Sequence, residues 1–210
     1  MVKRVTDIIF SLILLIIFAP VMLLVALVIA FNLGKPVIFR QYRPGLHGEI
    51  FVLYKFRTMK DEIGPNGEII NDVYRVTPVS EFIRKASLDE LPELFNVLKG
   101  NMSLVGPRPL MPQYLSRYTP EQARRHDVKP GITGLAQISG RRNIPFSKRL
   151  ELDVYYVDHQ SLWFDLKILL LTIPSVLFTH GAEGPCSAAI DDLGMLSSLE
   201  ATGNENAEKR

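Results

Sequence analysis

Residues Ile8 to Phe31 read IIFSLILLIIFAPVMLLVALVIAF, twenty-four positions with no charge and one hydroxyl, Ser11. No other stretch limits the fold so strongly, because a helix that crosses a bilayer needs about 20 apolar residues. Three structures compete for it. A cleaved signal peptide could use Lys3 and Arg4 as its basic start. The run is longer than the roughly 7–15 apolar residues of a signal core, however, and no small-x-small cleavage site follows. A simple span keeps Lys3 and Arg4 in the cytoplasm, but the other flank is basic too, with Lys35, Arg40 and Arg43. A re-entrant hairpin puts both flanks on one side. Its turning point is Ala19-Pro20, since proline removes a backbone hydrogen bond and collides with the preceding turn. Carbonyls freed in lipid are costly, and Ser11 alone cannot satisfy them. The residues leave span and hairpin open.

The rest of the 210 residues is enough for one domain. We divide the chain into an anchor at 1–34, a catalytic domain at 35–180 and a disordered tail at 181–210. The runs from Val37 and Ile50, separated by Arg43-Pro-Gly-Leu-His-Gly48, predict a β-hairpin. Residues 61–78 carry Gly-Pro, Asn-Gly and several acids and read as a surface loop. Helices are expected from Val79 and from Ser87, the second stopping at Lys99-Gly100. Residues 101–112 read as a loop. Thr119 caps a short helix with Pro120 at its first position, and 128–142 is Gly-rich and irregular. Two more helices are expected from Phe146 and Ser161. The second has apolar residues on more than one face, which suits either a membrane interface or a buried core. The net charge of +2 predicts no nucleic-acid partner. One cysteine, Cys186, and four scattered histidines supply neither a disulfide nor zinc-ligand spacing.

The chemistry centres on Ser87-Leu-Asp-Glu90, followed by Pro92. Ser-x-x-Glu is a capping box, and that reading uses Ser87 and Glu90 but leaves Asp89 over. Neighbouring helical positions point about 100° apart, so the two carboxylates can do different jobs. Around them, arginines stand singly in stiff turns or at helix ends: Arg43, Arg57, Arg84, Arg108, Arg141 and Arg142. Arginine binds phosphate bidentately, glycine lets backbone approach an anion, and carboxylates hold Mg²⁺ against phosphates. The inventory describes a membrane-anchored phosphoryl-group transferase acting on a diphosphate.

Three segments, Phe39 to Met59, Arg84 to Pro109 and Val128 to Arg141, with Glu151 to Val157 and Trp163 to Thr172 after them, together resemble the bacterial sugar transferase family, small monotopic polyprenyl-phosphate sugar-1-phosphate transferases. The resemblance covers about residues 3–175. It implies transfer of sugar-1-phosphate from a UDP-sugar to undecaprenyl phosphate with release of UMP, opening assembly of glycoprotein glycans, O-antigen or capsule. It implies Asp89 as the nucleophile that forms a covalent phosphosugar intermediate, with Glu90 as its partner. Both acids would serve the Mg²⁺ cofactor. Arg84, Arg108 and Arg141 would hold phosphates, and Lys55 and Arg57 would shape the same pocket.

The implied fold is mostly α with a small β-hairpin, monotopic on the cytoplasmic face of the bacterial inner membrane. It has an N-terminal helix-break-helix at Ala19-Pro20 and amphipathic interfacial helices. Membrane lipids and downstream glycosyltransferases are the other implied partners. The rival reading is a non-catalytic scaffold or a UDP-sugar-binding protein of a glycan-assembly complex. Two positions depart from the family: Ala19 where Ser is frequent, and Asn101 where Asp is frequent.

Overall fold

A computed structural model describes residues 2–61, 72–140, 144–178 and 192–193. Within these, helix α1 (Val2–Asn32) is followed by the strands β1 (Ile38–Pro44) and β2 (Ile50–Phe56). Then come α2 (Asp72–Arg75), α3 (Pro78–Lys85), α4 (Glu93–Lys99), β3 (Ser103–Val105), α5 (Pro120–Ala123), β4 (Gly131–Thr133), α6 (Leu135–Ile138), α7 (Phe146–Asp158) and α8 (Leu162–Phe178). The chain is therefore mostly helical with a small antiparallel hairpin, as the sequence predicts.

The expected interruption of the first helix is absent: α1 runs through Ala19 and Pro20 as one helix of 31 residues. Proline deletes one hydrogen bond, and a long helix with many others can continue past it. Its surroundings also hold α1 along its length. At the N-terminal end, the Arg4 guanidinium donates to the Val97 carbonyl and, at 2.8 Å, to that of Leu98. Asp7 accepts from the Ser103 hydroxyl and the Leu104 amide, each at 3.1 Å. Lys3 pairs with Asp165 at 2.5 Å. At the other end Val25 and Ile29 pack with Phe56 and Ile83, and Arg57 donates to the carbonyls of Leu33 and Gly34. A core helix of a soluble protein is mostly buried, whereas in α1 only Asp7, Ser11, Val25 and Ile29 are. The outward side carries Ile9, Phe10, Ile16, Leu23, Leu24 and Phe31, all exposed.

In the hairpin, β1 and β2 pair antiparallel from Ile38↔Phe56 to Pro44↔Ile50. Phe51 and Leu53 face inward and join Leu94, Val97, Met102, Leu104, Val105, Tyr156 and Ile168 in the main core. Thr77 caps α3, accepting from the Ser80 amide, and α4 stops at left-handed Gly100 with φ 91°. Thr119 and Gln122 form a capping box on α5 with Pro120 at its start. Residues 72–75 form a helical turn inside the segment read as a loop.

The parallel pair β3–β4, with Ser103 opposite Gly131 and Val105 opposite Thr133, lies in segments read as a loop and as irregular chain. Strands of three residues leave no period to detect. The pair needs glycine: a Cβ on Gly106 or on Gly131 would collide with the other's backbone. The expected disordered tail lies outside the described residues, apart from Asp192, whose carboxylate accepts from the Ser147 amide at 3.0 Å.

Candidate active site

Asp89 and Glu90 sit in a 3₁₀ turn, Leu88–Glu90, between α3 and α4. The capping box is not formed. Ser87 is left-handed with φ 54° and its side chain caps nothing, whereas an N-cap needs extended backbone. The Glu90 carboxylate turns instead to two cations. Its Oε1 accepts from Lys55 Nζ at 2.7 Å and from Arg108 Nη2 at 2.6 Å. Lys55 also meets Glu93 Oε1 at 3.0 Å. Lys55 comes from β2 and Arg108 follows β3, so two separated segments converge on Glu90, while Glu93 at the start of α4 meets Lys55.

Buried polar contacts hold these segments in register. Asn96, fully buried on α4, donates to the Val52 carbonyl at 2.6 Å and accepts from the Tyr54 amide at 3.0 Å. It thereby locks α4 to the strand that carries Lys55. Its own carbonyl accepts from the amides of Gly100, Asn101 and Met102. On the other side Arg125 donates to the Arg108 carbonyl at 2.7 Å and pairs with buried Asp153.

The electrostatics separate the two glutamates. Burial works to raise the pKa of Glu90, but the adjacent Arg108 and Lys55 outweigh it and hold the carboxyl well below its usual range. Glu93 is more deeply buried, and that burial, incompletely offset by Lys55, pushes its pKa up to about 7. Burial disfavours the charge of Lys55, yet the carboxylates of Glu90 and Glu93 keep its pKa raised. Glu90 likewise raises that of Arg108. Asp89, half-buried beside Glu90, adds to the field that raises both cations.

The structure thus brings Asp89, Glu90, Lys55 and Arg108 together. Arg84 lies half-buried in the last turn of α3, the helix just before the acidic turn. Arg57 is directed elsewhere: it is buried, tied to the end of α1, and meets Asp61 at 3.3 Å. Arg141 lies outside the described residues. Asn101 follows Gly100 at the far end of α4 from Asp89 and Glu90, about 10 Å away along a seven-residue helix. Glu93 was not singled out from the sequence. An acid in the first turn of a helix reads as a complement to the helix dipole, and no local signal reveals that it is buried under Lys55.

Asp89 and Glu90 are hard oxygen donors of the type Mg²⁺ takes, and Mg²⁺ commonly uses one or two carboxylates and completes its shell with phosphates and water. Among the described residues no third His, Cys, Asp or Glu joins them in a ready-made metal cluster. Of these donors, Glu90 Oε1 already accepts from Lys55 and Arg108.

The family model described as bacterial sugar transferase matches residues 1–179. The sugar transferase EpsL of Bacillus subtilis is 52% identical over 181 residues, covering 86% of this chain and 90% of that one. A UDP-glucose:undecaprenyl-phosphate glucose-1-phosphate transferase of Caulobacter vibrioides is 45% identical, with 86% and 71% covered. An undecaprenyl-phosphate galactose phosphotransferase of Salmonella typhimurium is 41% identical; 86% of this chain spans 41% of that longer protein.

Proposed function

The chain belongs to the bacterial sugar transferase family, and we propose that it moves sugar-1-phosphate from a UDP-sugar to undecaprenyl phosphate in two displacements at Asp89. Relatives named for glucose-1-phosphate and galactose transfer to undecaprenyl phosphate support the reaction class. The observation that carries the assignment of the site is the Lys55–Glu90–Arg108 cluster beside Asp89.

In the first step an Asp89 carboxylate oxygen attacks the phosphorus that bears the sugar. The P–O bond to UMP breaks and UMP leaves with the electron pair. In the second an oxygen of undecaprenyl phosphate attacks the same phosphorus and Asp89 leaves as carboxylate. A nucleophile that divides one hard displacement into two is established chemistry for carboxylates. Lys55 and Arg108 supply positive charge to the phosphoryl oxygens, where charge builds during transfer. Glu90, held ionised at neutral pH, orients both cations. Asp89 and Glu90 would hold Mg²⁺, which would supply charge neutralisation of the diphosphate.

The α1 contacts support a monotopic placement. Both of its ends dock on the same body, through Arg4 and Asp7 at one end and Val25 and Ile29 at the other. That docking favours a helix with both ends on one side of the bilayer over a simple span. Its exposed apolar side, with exposed Leu162, Trp163, Leu170 and Ile173 on α8, supplies a surface for lipid. The active site then stands on the cytoplasmic face, where a soluble UDP-sugar meets a lipid phosphate at the first membrane step of glycoconjugate assembly.

The test is UMP release by the full chain in detergent with Mg²⁺, undecaprenyl phosphate and a panel of UDP-sugars. Release with one sugar, lost in Asp89→Asn and in EDTA, is expected. Release that survives Asp89→Asn would remove the nucleophile assignment.

A further inference from the structure

Arg43, near the end of β1, forms no ion pair with the cluster's acids among the described residues. Lys55 pairs with Glu90 and Glu93, and Arg108 pairs with Glu90. Arg43 makes no ion pair with any described residue. Its Nη2 donates to Gln41 Oε1 at 2.6 Å, and its Nε is buried with no hydrogen-bond partner among the described residues. Pro44, the next residue, lines one cavity together with Arg108, and burial first, then Arg108, lowers the Arg43 pKa to about 10, with Glu93 only partly compensating. A buried N–H without an acceptor, on a cation facing another cation, is a costly arrangement in an isolated protein. It becomes favourable once an anion enters between the two guanidinium groups, because a guanidinium fork matches two phosphate oxygens.

We propose that Arg43 is a phosphate-binding residue of the active site, its guanidinium closing with Arg108 on a phosphoryl oxyanion of a substrate. This deepens the transferase reading and rests on it for the identity of the substrate. The anion has two sources in that reaction, the diphosphate of the sugar donor and the phosphate of the lipid acceptor. The chemistry recognised is the same. Gln41 engages one end of the fork through Nη2, and Nε has no partner among the described residues.

The test compares wild-type full chain with Arg43→Gln and Arg43→Lys in detergent. Inorganic pyrophosphate is expected to raise the Tm of the wild type, and the rise is expected to vanish in Arg43→Gln and to be partial in Arg43→Lys. Without ligand, Arg43→Gln is expected to melt no lower than wild type, since it relieves a repulsion. In turnover, KM for either the UDP-sugar or undecaprenyl phosphate, varied separately, is expected to rise roughly 10- to 100-fold in Arg43→Gln. The substrate affected identifies which phosphate Arg43 holds. A pyrophosphate response that is absent in wild type or fully retained in Arg43→Gln overturns the proposal. So does a lower ligand-free Tm with both KM values unchanged. If pyrophosphate stabilises the wild type through Arg43 while no UDP-sugar is turned over, the anion site stands and the transferase reading fails.

Discussion

Arg125 donates from Nη2 to the backbone carbonyl of Arg108 at 2.7 Å, and the same Nη2 lies 2.7 Å from Asp153 Oδ2. A buried ion pair that is almost wholly shielded from water thus fixes the backbone of a residue whose side chain, 44% exposed, reaches Glu90. Removing one partner of a buried pair leaves an uncompensated charge and costs about 3–5 kcal/mol. Arg125→Ala is expected to lose that much stability. Arg125→Lys keeps the charge but not the fork, so it is expected to fold and to show reduced kcat/KM through a misplaced Arg108. Thermal melts beside steady-state kinetics separate the two effects, and an Arg125→Lys enzyme with full activity would show that the carbonyl contact has no bearing on catalysis.

Asn96 links α4 to β2 and so sets the distance from Glu90 and Glu93 to Lys55. Asn96→Ala leaves the Val52 carbonyl and the Tyr54 amide without their partner and opens a cavity. The expected loss is about 2–4 kcal/mol, read as a lower urea midpoint. Asn96→Leu restores volume but not the hydrogen bonds and is expected to be no better. Recovery of stability in Asn96→Leu would mean that packing, not the polar clamp, matters there.

The two glutamates predict opposite pH dependences. Glu93 has a raised pKa of about 7 when folded, so the native state binds protons more tightly than the unfolded chain. Its contribution is complete below the unfolded value of 4.5 and disappears as pH rises through about 7. Glu90 is depressed by Arg108 and Lys55. Its contribution is present above 4.5 and is lost as pH falls toward its folded value. Stability from this pair is therefore greatest near 4.5 and falls on both sides of it. Melting curves from acid pH to above 7 are expected to show an alkaline decline that Glu93→Gln flattens and an acid decline that Glu93→Gln leaves in place.

Asp7 joins α1 to β3 through Ser103 and Leu104. Asp7→Ala leaves a buried amide unsatisfied, at about 1–3 kcal/mol, and is expected to make the chain between α1 and β1 more open to protease. Asp7→Asn retains an acceptor and is expected to behave close to wild type. Equal protease resistance of Asp7→Ala and wild type in detergent would show that lipid contact alone places the helix.

Gly131 approaches Gly106 so closely that a Cβ would strike the facing backbone. Gly131→Ala is expected to cost about 4 kcal/mol or more, because both colliding partners are main chain and neither can rotate away. Loss of folded protein on expression, or a large fall in Tm, checks this; a tolerated Gly131→Ala would mean that β3 and β4 separate without consequence for the site.

Local chemistry made much of this legible in the sequence. Thr119 caps α5 with Pro120 at its start, Gly100 stops α4, and the apolar runs from Val37 and Ile50 with the turn between them form the hairpin. Each depends on residues a few positions apart. The same reasoning misplaced Ser87, whose spacing to Glu90 suits a capping box, because the attraction of Lys55 and Arg108 for the Glu90 carboxylate comes from segments 35 and 18 residues away. The family resemblance implied Arg57 for the pocket, whereas its guanidinium is taken by the end of α1.

By itself the sequence determined that the chain carries an apolar helix, a hairpin and a turn with two acids ringed by arginines. Composition and short-range spacing are enough for those features. It also carried the long motifs of its family. Tertiary structure alone decided which cations meet which acids, that Glu93 is buried beneath Lys55, that Arg43 pairs with no acid among the described residues, and that α1 passes Pro20 unbroken with both ends on one body. Those outcomes depend on burial and on charges distant in sequence, and a one-dimensional pattern contains neither the dielectric around a group nor the neighbours that folding gives it.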